Sequence, residues 1–343
     1  MNSKTFFNRK SSLIIMKLLV TGGLGFIGSN FIIKMIEEHE NIEIINIDDK
    51  LYGSNSKSLE NIEKSNRYKF IQCDITNKEI LEKIIANCDG IINFAAESFV
   101  DRSISNTTPT FDSNLKGVFV ILELIKKYKK KFVQVSTDEV FGSLEKGSAN
   151  EMTRFNPSSP YSATKAGAEL LINAYSVTYG CDCIITRCTN NYGPRQFPEK
   201  LIPKIILLAQ QDKKIPIYGT GTNIRDWIYV EDHCDAVFKV LNNGKSGESY
   251  NISANNEIDN ITIVQKILSL MNKSEDLIEY VEDRPGHDFR YSMDSSKIRK
   301  ELDWKTNINF EEGLKKTIDW YLSNKEWWKS IVKDSLKQTP WKN

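Results

Sequence analysis

Thr21-Gly22-Gly23-Leu24-Gly25-Phe26-Ile27-Gly28 is the stretch that decides the fold. It stands between an apolar run at residues 17–21, which predicts a buried strand, and a periodic pattern at residues 26–38, which predicts a helix. Glycine at positions 22, 25 and 28 permits a tight turn and lets a pyrophosphate approach the backbone N–H groups at the positive end of the helix. The stretch therefore predicts a nucleotide-binding turn.

An acidic pair follows at the end of the second predicted strand. Asp48 stands 20 residues after Gly28, and Asp49 comes next and adds negative charge. At this spacing a carboxylate is placed to accept a hydrogen bond from the 2′-hydroxyl of an adenosine ribose, and it repels a 2′-phosphate. We therefore expect NAD rather than NADP as the cofactor.

Working outward from this turn, short apolar runs alternate with helical patterns as far as about residue 187. Strands are predicted at 17–21, 42–47, 69–73, 90–94, 131–136 and 182–187, and helices at 26–38, 77–87, 108–129 and 159–179, with Asn77 and Ser159 as N-caps. This alternation indicates βαβ units and a parallel sheet. The predicted fold class is α/β, a Rossmann-type doubly wound parallel sheet with a smaller α/β C-terminal substrate lobe.

The smaller lobe is predicted from a change of pattern after Arg187. Strands are expected near 215–218, 227–230 and 249–252, and helices near 200–211, 231–242, 260–272 and 310–329. We expect an N-terminal extension at 1–15, a cofactor-binding domain at 16–188 with interleaved later segments, a mainly substrate-binding lobe at 189–330 and a tail at 331–343.

Composition excludes several classes of function. The 46 Lys and Arg residues against 45 Asp and Glu give a formal charge of +1, which argues against a nucleic-acid or membrane-surface partner. No apolar stretch reaches the roughly 18 residues that a membrane span needs. Six scattered cysteines without a CxxC pair indicate a reduced, cytoplasmic setting. Only three histidines occur, none at metal-ligand spacing, so we expect no metal and assign proton chemistry to Tyr, Lys, Asp or Glu.

A candidate acid-base pair opens the helix predicted at 159–179. Tyr161 and Lys165 are four residues apart and so lie on the same helix face. A nearby ammonium stabilises a phenolate and is expected to lower the pKa of Tyr161 from about 10 toward the working range. Tyr161 is therefore a candidate general base for oxidising an alcohol.

With these motifs in place, residues 17 to 325 resemble the extended short-chain dehydrogenase/reductases of nucleotide-sugar metabolism. Within that family, Ser136-Thr137-Asp138-Glu139-Val140-Phe141-Gly142 is similar to the catalytic segment of the dTDP-glucose 4,6-dehydratases, with Phe141 in place of the usual Tyr. Elimination of water across C5–C6 needs one group to take a carbon-bound proton and another to protonate the leaving hydroxyl. The resemblance implies Thr137, Asp138, Glu139, Tyr161 and Lys165 as catalytic residues.

Other segments resemble the same family, among them residues 93–103, in which Phe99 replaces the usual His. The resemblance and the glycine-rich turn together assign the cofactor to Gly22, Gly25, Phe26, Ile27, Gly28, Asp48, Asp49, Asp74, Ile75, Ala95, Ala96, Ser98, Tyr161, Lys165 and Asn191. The substrate is assigned to Ser98, Thr137, Asn190, Glu199, Lys200, Leu201, Pro216, Tyr218, Arg225, Asn260, Arg284 and His287. Arg225 and Arg284 are expected to bind the substrate diphosphate, because the planar guanidinium bonds phosphate oxygens in pairs.

The resemblance implies conversion of dTDP-glucose to its 4-keto-6-deoxy derivative and water, with tightly bound NAD regenerated in each turnover. Three alternatives stay open: the same reaction on UDP-glucose, a nucleotide-sugar 4-epimerase, which the Asp138-Glu139 pair disfavours, and a catalytically silent NAD-binding subunit. The resemblance also implies a homodimer through the helices near 108–129 and 159–179.

Overall fold

The structure is a computed structural model that describes residues 15–332 and residue 336. The expected extension at 1–15 therefore lies outside the described residues except for Ile15, and the expected tail lies outside them except for residues 331, 332 and 336. Among the described residues, no helix is long and apolar enough to cross a membrane.

Twelve strands run through this described part of the chain. They are β1 (Met16–Thr21), β2 (Ile42–Asp48), β3 (Tyr68–Gln72), β4 (Gly90–Asn93), β5 (Lys131–Thr137), β6 (Cys183–Cys188), β7 (Asn190–Tyr192), β8 (Ile215–Tyr218), β9 (Ile224–Tyr229), β10 (Ser249–Ile252), β11 (Glu257–Asp259) and β12 (Ile278–Val281).

The same residues form twelve α-helices. They are α1 (Phe26–Glu38), α2 (Lys78–Ile85), α3 (Val100–Ser105), α4 (Thr108–Phe111), α5 (Val118–Tyr128), α6 (Pro160–Tyr179), α7 (Leu201–Gln210), α8 (Val230–Asn243), α9 (Asn260–Leu270), α10 (Ser296–Leu302), α11 (Phe310–Ser323) and α12 (Lys325–Lys329). Three 3-10 helices, Ser56–Leu59, Asp138–Phe141 and Glu275–Leu277, and a π-helix, Asp112–Gly117, complete the set.

The large sheet has seven parallel strands in the order β10-β6-β5-β4-β1-β2-β3. One apolar core packs α1 and α8 against one face, and a second packs α2, α5 and α6 against the other. The predicted Rossmann-type doubly wound sheet is confirmed. The strand order reverses between β1 and β4, and such a reversal opens a crevice at the carboxyl ends of the strands.

The smaller sheets are built from later segments. β11, β9 and β7 form one sheet and β12 pairs with β8 in another, and helices α7, α9 and α11 cover them with a third apolar core. Strand β10, which the sequence analysis assigned to the smaller lobe, is instead the edge strand of the large sheet, and α8 packs on its face. Short strands carry no local signal for the sheet they join, because pairing is a long-range choice.

Local signals explain where the main helices begin and end. Ser159 and Ser162 form a reciprocal capping box at the start of α6, and Gly180 ends that helix in the left-handed conformation. Asn77 caps α2 as expected. The helix predicted at 108–129 contains the π-helical turn, and the helix predicted at 310–329 divides at Asn324 into α11 and α12.

Candidate active site

The glycine-rich turn forms the first wall of the cleft. Gly22 has φ of +70°, and a Cβ there would lie 2.5 Å from the backbone N of Ala95, so glycine is required. Gly25 is the N-cap of α1, and no side chain caps the helix there. The positive end of α1 is therefore available to a phosphate group.

Asp48 lies at the carboxyl end of β2 and is nearly buried. Its Oδ2 accepts the Leu24 N–H at 3.0 Å, and its Oδ1 accepts the Lys50 N–H at 2.8 Å. Burial raises the pKa of Asp48, and these two hydrogen bonds oppose the rise. Each oxygen keeps a free lone pair for a ribose hydroxyl, so the turn and this carboxylate fit an adenine dinucleotide such as NAD.

A single cleft contains every residue that the sequence analysis assigned to the cofactor. Its lining includes Gly22, Gly25, Phe26, Ile27, Gly28, Asp48, Asp49, Asp74, Ile75, Ala95, Ala96, Ser98, Tyr161, Lys165 and Asn191. These side chains come from segments distributed over some 170 residues of sequence, and the parallel sheet brings them to one edge.

The candidate catalytic residues form the adjoining wall. Thr137 ends β5 and caps the 3-10 turn, with its Oγ1 accepting the Glu139 N–H at 3.3 Å. Asp138 and Glu139 follow within that turn, and Tyr161 and Lys165 stand in the first turns of α6. All five line the cleft.

The two carboxyl groups differ in their surroundings. Asp138 is buried, its Oδ1 accepts the Thr137 hydroxyl at 3.1 Å, and its Oδ2 has no partner among the described residues. Burial, followed by the charge of Glu139, raises the pKa of Asp138 to about 8. Burial also raises the pKa of Glu139, but the charges of Arg284, Lys200 and Arg225 oppose the rise. Asp138 is thus suited to donate a proton and Glu139 to accept one.

Tyr161 departs from the expectation that Lys165 lowers its pKa. Burial raises the pKa of Tyr161 well above its ordinary value, the charges of Glu139 and Cys188 add to the rise, and a hydrogen bond with Thr137 opposes it. The Lys165 ammonium instead donates to the Val135 carbonyl at 2.7 Å. Burial lowers the pKa of Lys165 to about 8. In this state of the protein, desolvation therefore outweighs the effect of the neighbouring ammonium.

The candidate substrate residues fall into two groups. Ser98, Thr137, Asn190 and Lys200 line the cleft. The other eight lie outside its lining: Glu199, Leu201 at the start of α7, Pro216 and Tyr218 in β8, Arg225 in β9, Asn260 at the start of α9, and Arg284 and His287 in the loop after β12.

The two arginines expected to bind a diphosphate are engaged by the chain itself. The Arg225 guanidinium donates to the carbonyls of Ile224, Phe289 and Asp288 at 2.7, 3.1 and 2.9 Å. Arg284 forms an ion pair with Asp101 at 2.7 Å, and its Nε has no partner among the described residues. Their charges act on Glu139, which places both cations near the catalytic wall.

Glu199 and His287 have partners of their own as well. Glu199 accepts hydrogen bonds from Tyr52, which lines the cleft, and from Arg102 at 3.2 Å. His287 Nδ1 lies 2.6 Å from Asp283 Oδ1. Burial and the neighbouring Arg284 lower the pKa of His287 to about 4.

Comparison with known proteins agrees with this geometry. Residues 19–317 match the family model described as GDP-mannose 4,6 dehydratase. A dTDP-glucose 4,6-dehydratase from Escherichia coli is 44% identical, with 93% of this chain and 97% of the relative aligned. The chain belongs to the dTDP-glucose 4,6-dehydratase family.

Solved structures of the family have the same fold. The dTDP-glucose 4,6-dehydratase of Bacillus anthracis, solved in complex with NAD, is 46% identical with a TM-score of 0.87, over 92% of this chain and 99% of that one. The dTDP-glucose 4,6-dehydratase DesIV of Streptomyces venezuelae, also solved with NAD bound, is 39% identical with a TM-score of 0.90, over 92% and 100%. A UDP-glucose 4-epimerase from Thermotoga maritima is only 26% identical, with a TM-score of 0.83 over 90% and 99%.

The cleft also contains residues that the sequence analysis did not assign to the cofactor or the substrate. Tyr52 and Phe197 line it, their rings packed edge to face 4.8 Å apart. Cys188 lines it from the carboxyl end of β6, where the strand-end rule for parallel sheets would have predicted a ligand-facing position. Phe99, at the position where the family has His, packs against Tyr52 and Phe197.

His233 is another residue that the sequence analysis left unassigned. Its Nδ1 lies 2.9 Å from Oδ1 of Asn191, and burial lowers the pKa of His233 to about 3. The neutral ring therefore donates its Nδ1–H to Asn191 and orients that amide at the cleft. No sequence signal links a helix histidine to a strand residue 42 positions earlier.

Proposed function

We propose that this protein binds NAD and converts dTDP-glucose to dTDP-4-keto-6-deoxyglucose and water. The observation that carries the proposal is that Thr137, Asp138, Glu139 and Tyr161 line one cleft. They bring together a candidate base for oxidation, Tyr161, and a candidate base and acid for elimination, Glu139 and Asp138. The similarity to dTDP-glucose 4,6-dehydratases over nearly the whole chain supports the same conclusion.

The first step is oxidation at C4, for which NAD supplies a hydride acceptor and later the hydride returned to C6. For Tyr161 to take the proton of the O4 hydroxyl, its pKa must fall from the raised value that burial gives it, and the positive charges of the NAD nicotinamide ring and of Lys165 act in that direction. Thr137, which hydrogen-bonds with Tyr161, orients the phenol, and Lys165 contributes positive charge one helical turn away.

The second step is elimination of water across C5–C6. The C4 ketone acidifies the C5 proton, and Glu139 removes it, since nearby cations favour its charged form. Asp138 protonates the departing C6 hydroxyl, because its raised pKa keeps it protonated near neutral pH. When the hydride returns to C6, Glu139 gives its proton back to C5. Tyr161 then still holds the O4 proton and Asp138 lacks the proton it gave to the departing water, so a proton must pass from Tyr161 to Asp138, directly or through solvent, to restore the starting state.

The nucleotide base and the alternative reactions are separated by one assay. Purified protein is given dTDP-glucose or UDP-glucose, and 4-keto-6-deoxy product, 4-epimer and the redox state of NAD are followed. We expect 4-keto product from dTDP-glucose with a higher kcat/KM than from UDP-glucose, and no 4-epimer. A higher kcat/KM for UDP-glucose would overturn the proposed base, 4-epimer would overturn the reaction, and bound NAD without turnover would indicate a silent subunit.

We further propose a homodimer formed through α6 and the helical segment from α4 to α5. Leu170 and Val177 are seven residues apart on one face of α6 and are 61% and 87% exposed, and Phe111 and Phe119 are also exposed. Exposed apolar side chains clustered on helices are typical of an interface. Light scattering should give twice the mass of the chain, and Leu170→Glu combined with Val177→Glu should halve it; a monomeric wild type would contradict the proposal.

Two other proposals concern organisation and location. We infer that residues 16–188 with later segments form the cofactor-binding domain and that residues 189–330 mainly bind the nucleotide sugar, an assignment supported by the separate apolar core behind the smaller sheets. We also propose a cytoplasmic location, since all six cysteines are free thiols, as a reducing compartment would keep them.

A further inference from the structure

A buried ion pair lies directly behind the catalytic wall. Nε and Nη2 of Arg187 in β6 donate to Oε2 of Glu169 in α6 at 2.9 and 2.7 Å. The two side chains are 3% and 0% exposed. Removing two charges from water is costly, and well-packed apolar residues often stabilise a fold as well or better. Stability alone is therefore a weak explanation for this pair.

Glu169 has a second partner next to the reacting groups. Its Oε1 accepts the Ser136 hydroxyl at 2.5 Å, and Ser136 immediately precedes Thr137 at the end of β5. Both carboxylate oxygens of Glu169 are thus engaged, one by the ion pair and one by the strand that carries Thr137.

Arg187 supports the turn that carries Asp138 and Glu139. Its guanidinium lies 5.1 Å from the ring centroid of Phe141, which ends that turn, and 5.3 Å from the ring of Phe155. An arginine held through two of its N–H groups by one carboxylate oxygen provides a flat, oriented surface for an aromatic ring.

Glu169 also acts on the charge of Lys165, one helical turn before it. Burial lowers the pKa of Lys165, while the charges of Glu169 and Cys188 raise it. The other groups that face this part of α6 are Tyr161 on the same helix, the Val135 carbonyl on β5, and Asp138, which acts on Cys188 from the 3-10 turn.

We propose that Glu169 and Arg187 are positioning residues for the oxidation step: Glu169 places a carboxylate one helical turn from Lys165 and holds Thr137 through Ser136, and Arg187 braces the Asp138-Glu139 turn through Phe141. Neither residue lines the cleft, so both act through the groups they contact. This inference rests on the proposed function, because it assigns the pair to the first step of that reaction.

The test follows NADH formation in a single turnover of the holoenzyme with dTDP-glucose at a series of pH values. This step needs no proton from Asp138, but Asp138 and Lys165 both have a pKa of about 8. The series is therefore run in the Asp138→Asn background, whose amide does not titrate, so that the alkaline limb of the rate of NADH formation reports the charge of Lys165. Glu169→Gln should move that limb to lower pH by about one unit, as expected when one nearby opposite charge is removed. The KM should change less than twofold.

Two further variants make the result interpretable. Glu123→Gln on α5 is the matched control, because Glu123 also bonds a residue of α6, Tyr175, at 2.6 Å but does not line the cleft. The alkaline limb of NADH formation in this variant should stay at the wild-type pH.

Glu169→Gln leaves Arg187 buried without its partner, which risks unfolding. The double variant Glu169→Gln/Arg187→Met removes both charges, and its alkaline limb should also move to lower pH.

Thermal unfolding of the apoprotein provides a readout that does not depend on turnover. Because the pKa of Lys165 is about 8 in the folded state and about 10.4 when unfolded, its charged form costs stability at low pH, and this cost disappears as pH rises from 8 toward 10.4. Comparing each protein with its Lys165→Met derivative isolates this group. The increase in stability with pH that is due to Lys165 should begin about one pH unit lower in Glu169→Gln than in the wild type.

The outcomes separate this inference from the proposed function. The positioning role is overturned if the wild type forms NADH and both Glu169 variants fold but keep the wild-type alkaline limb and the wild-type unfolding profile. The proposed function would then still stand. A wild type that forms no NADH contradicts the proposed function, and the unfolding series then decides on its own whether Glu169 supports the charge of Lys165.

Discussion

In the cofactor half of the cleft, the glycine-rich turn and Asp48 contact mainly backbone groups and leave room for a ligand. In the substrate half, the charged groups of Arg225, Arg284 and His287 are already bonded to other groups of the chain. Asp48 accepts N–H groups from Leu24 and Lys50 and keeps lone pairs for a ligand. Arg284, by contrast, is paired with Asp101, 183 residues earlier in the chain.

This difference indicates that the cofactor half is preorganised and that the substrate half must exchange partners. A turn whose glycines leave no room for a Cβ has its final shape before a ligand arrives. A guanidinium already bonded to a carboxylate must share or release that bond to reach a phosphate. We therefore expect variants in the cofactor half to change affinity for NAD, and variants in the substrate half to change KM for the nucleotide sugar.

The largest effect is expected at the junction of the two halves, in Tyr161→Phe. Loss of the hydroxyl removes the base, so the rate of NADH formation in a single turnover should fall by about 10³ or more. The remaining ring still packs, so the protein should retain its bound NAD, measured by absorbance after denaturation. NADH forming at the wild-type rate would show that another group is the base.

Glu139→Gln should have the next largest effect, a fall of about 10²–10³ in product formation with oxidation at C4 preserved. The amide cannot take the C5 proton, so solvent deuterium should no longer enter at C5 and NADH should accumulate on the enzyme. Mass spectrometry of the product in D₂O checks this. Normal deuterium incorporation would assign the C5 proton to a different residue.

The pH dependence of elimination tests the acid, Asp138. Its pKa is raised to about 8 by burial and by Glu139, so the acid is protonated below that pH and the elimination rate should fall as pH rises through about 8. Asp138→Asn should lower the rate by about 10²-fold and abolish this limb, because an amide does not titrate there. If the limb persisted in the variant, the titrating group would lie elsewhere.

Asp48→Ala tests the cofactor half alone. Loss of a charged hydrogen bond should weaken NAD binding by about 1–3 kcal/mol and narrow the preference over NADP. Isothermal titration calorimetry of the apoprotein with NAD and with NADP measures the two affinities. The KM for dTDP-glucose at saturating NAD should stay unchanged. Equal affinity of the wild type for NAD and NADP would contradict the role of this carboxylate.

The smallest effect is expected for Arg284→Lys, which should raise KM for dTDP-glucose about 5- to 10-fold with a smaller change in kcat. Lysine keeps the charge but loses the planar fork. Arg225→Lys is the comparison variant. Because Arg225 bonds three backbone carbonyls, this substitution should lower the melting temperature more than Arg284→Lys does. Steady-state kinetics and thermal melting compare the two, and unchanged KM in both would place the diphosphate elsewhere.

The sequence by itself determined the features whose parts are close neighbours along the chain. The glycine-rich turn, Asp48 at a strand end, the Thr137-Asp138-Glu139 segment and the Tyr161–Lys165 pair were all predictable, because a strand end, a turn or one helical turn converts sequence spacing directly into spatial spacing. The alternation of strands and helices likewise predicted the doubly wound sheet.

Only the tertiary structure decided which distant groups meet and how deeply they are buried. It placed β10 in the large sheet, paired Arg284 with Asp101, and turned Lys165 toward the Val135 carbonyl. It also raised the pKa of Tyr161 where a lowering was expected, since desolvation depends on all the surrounding atoms. Burial and long-range pairing are properties of the packed molecule, and no local spacing in the sequence encodes them.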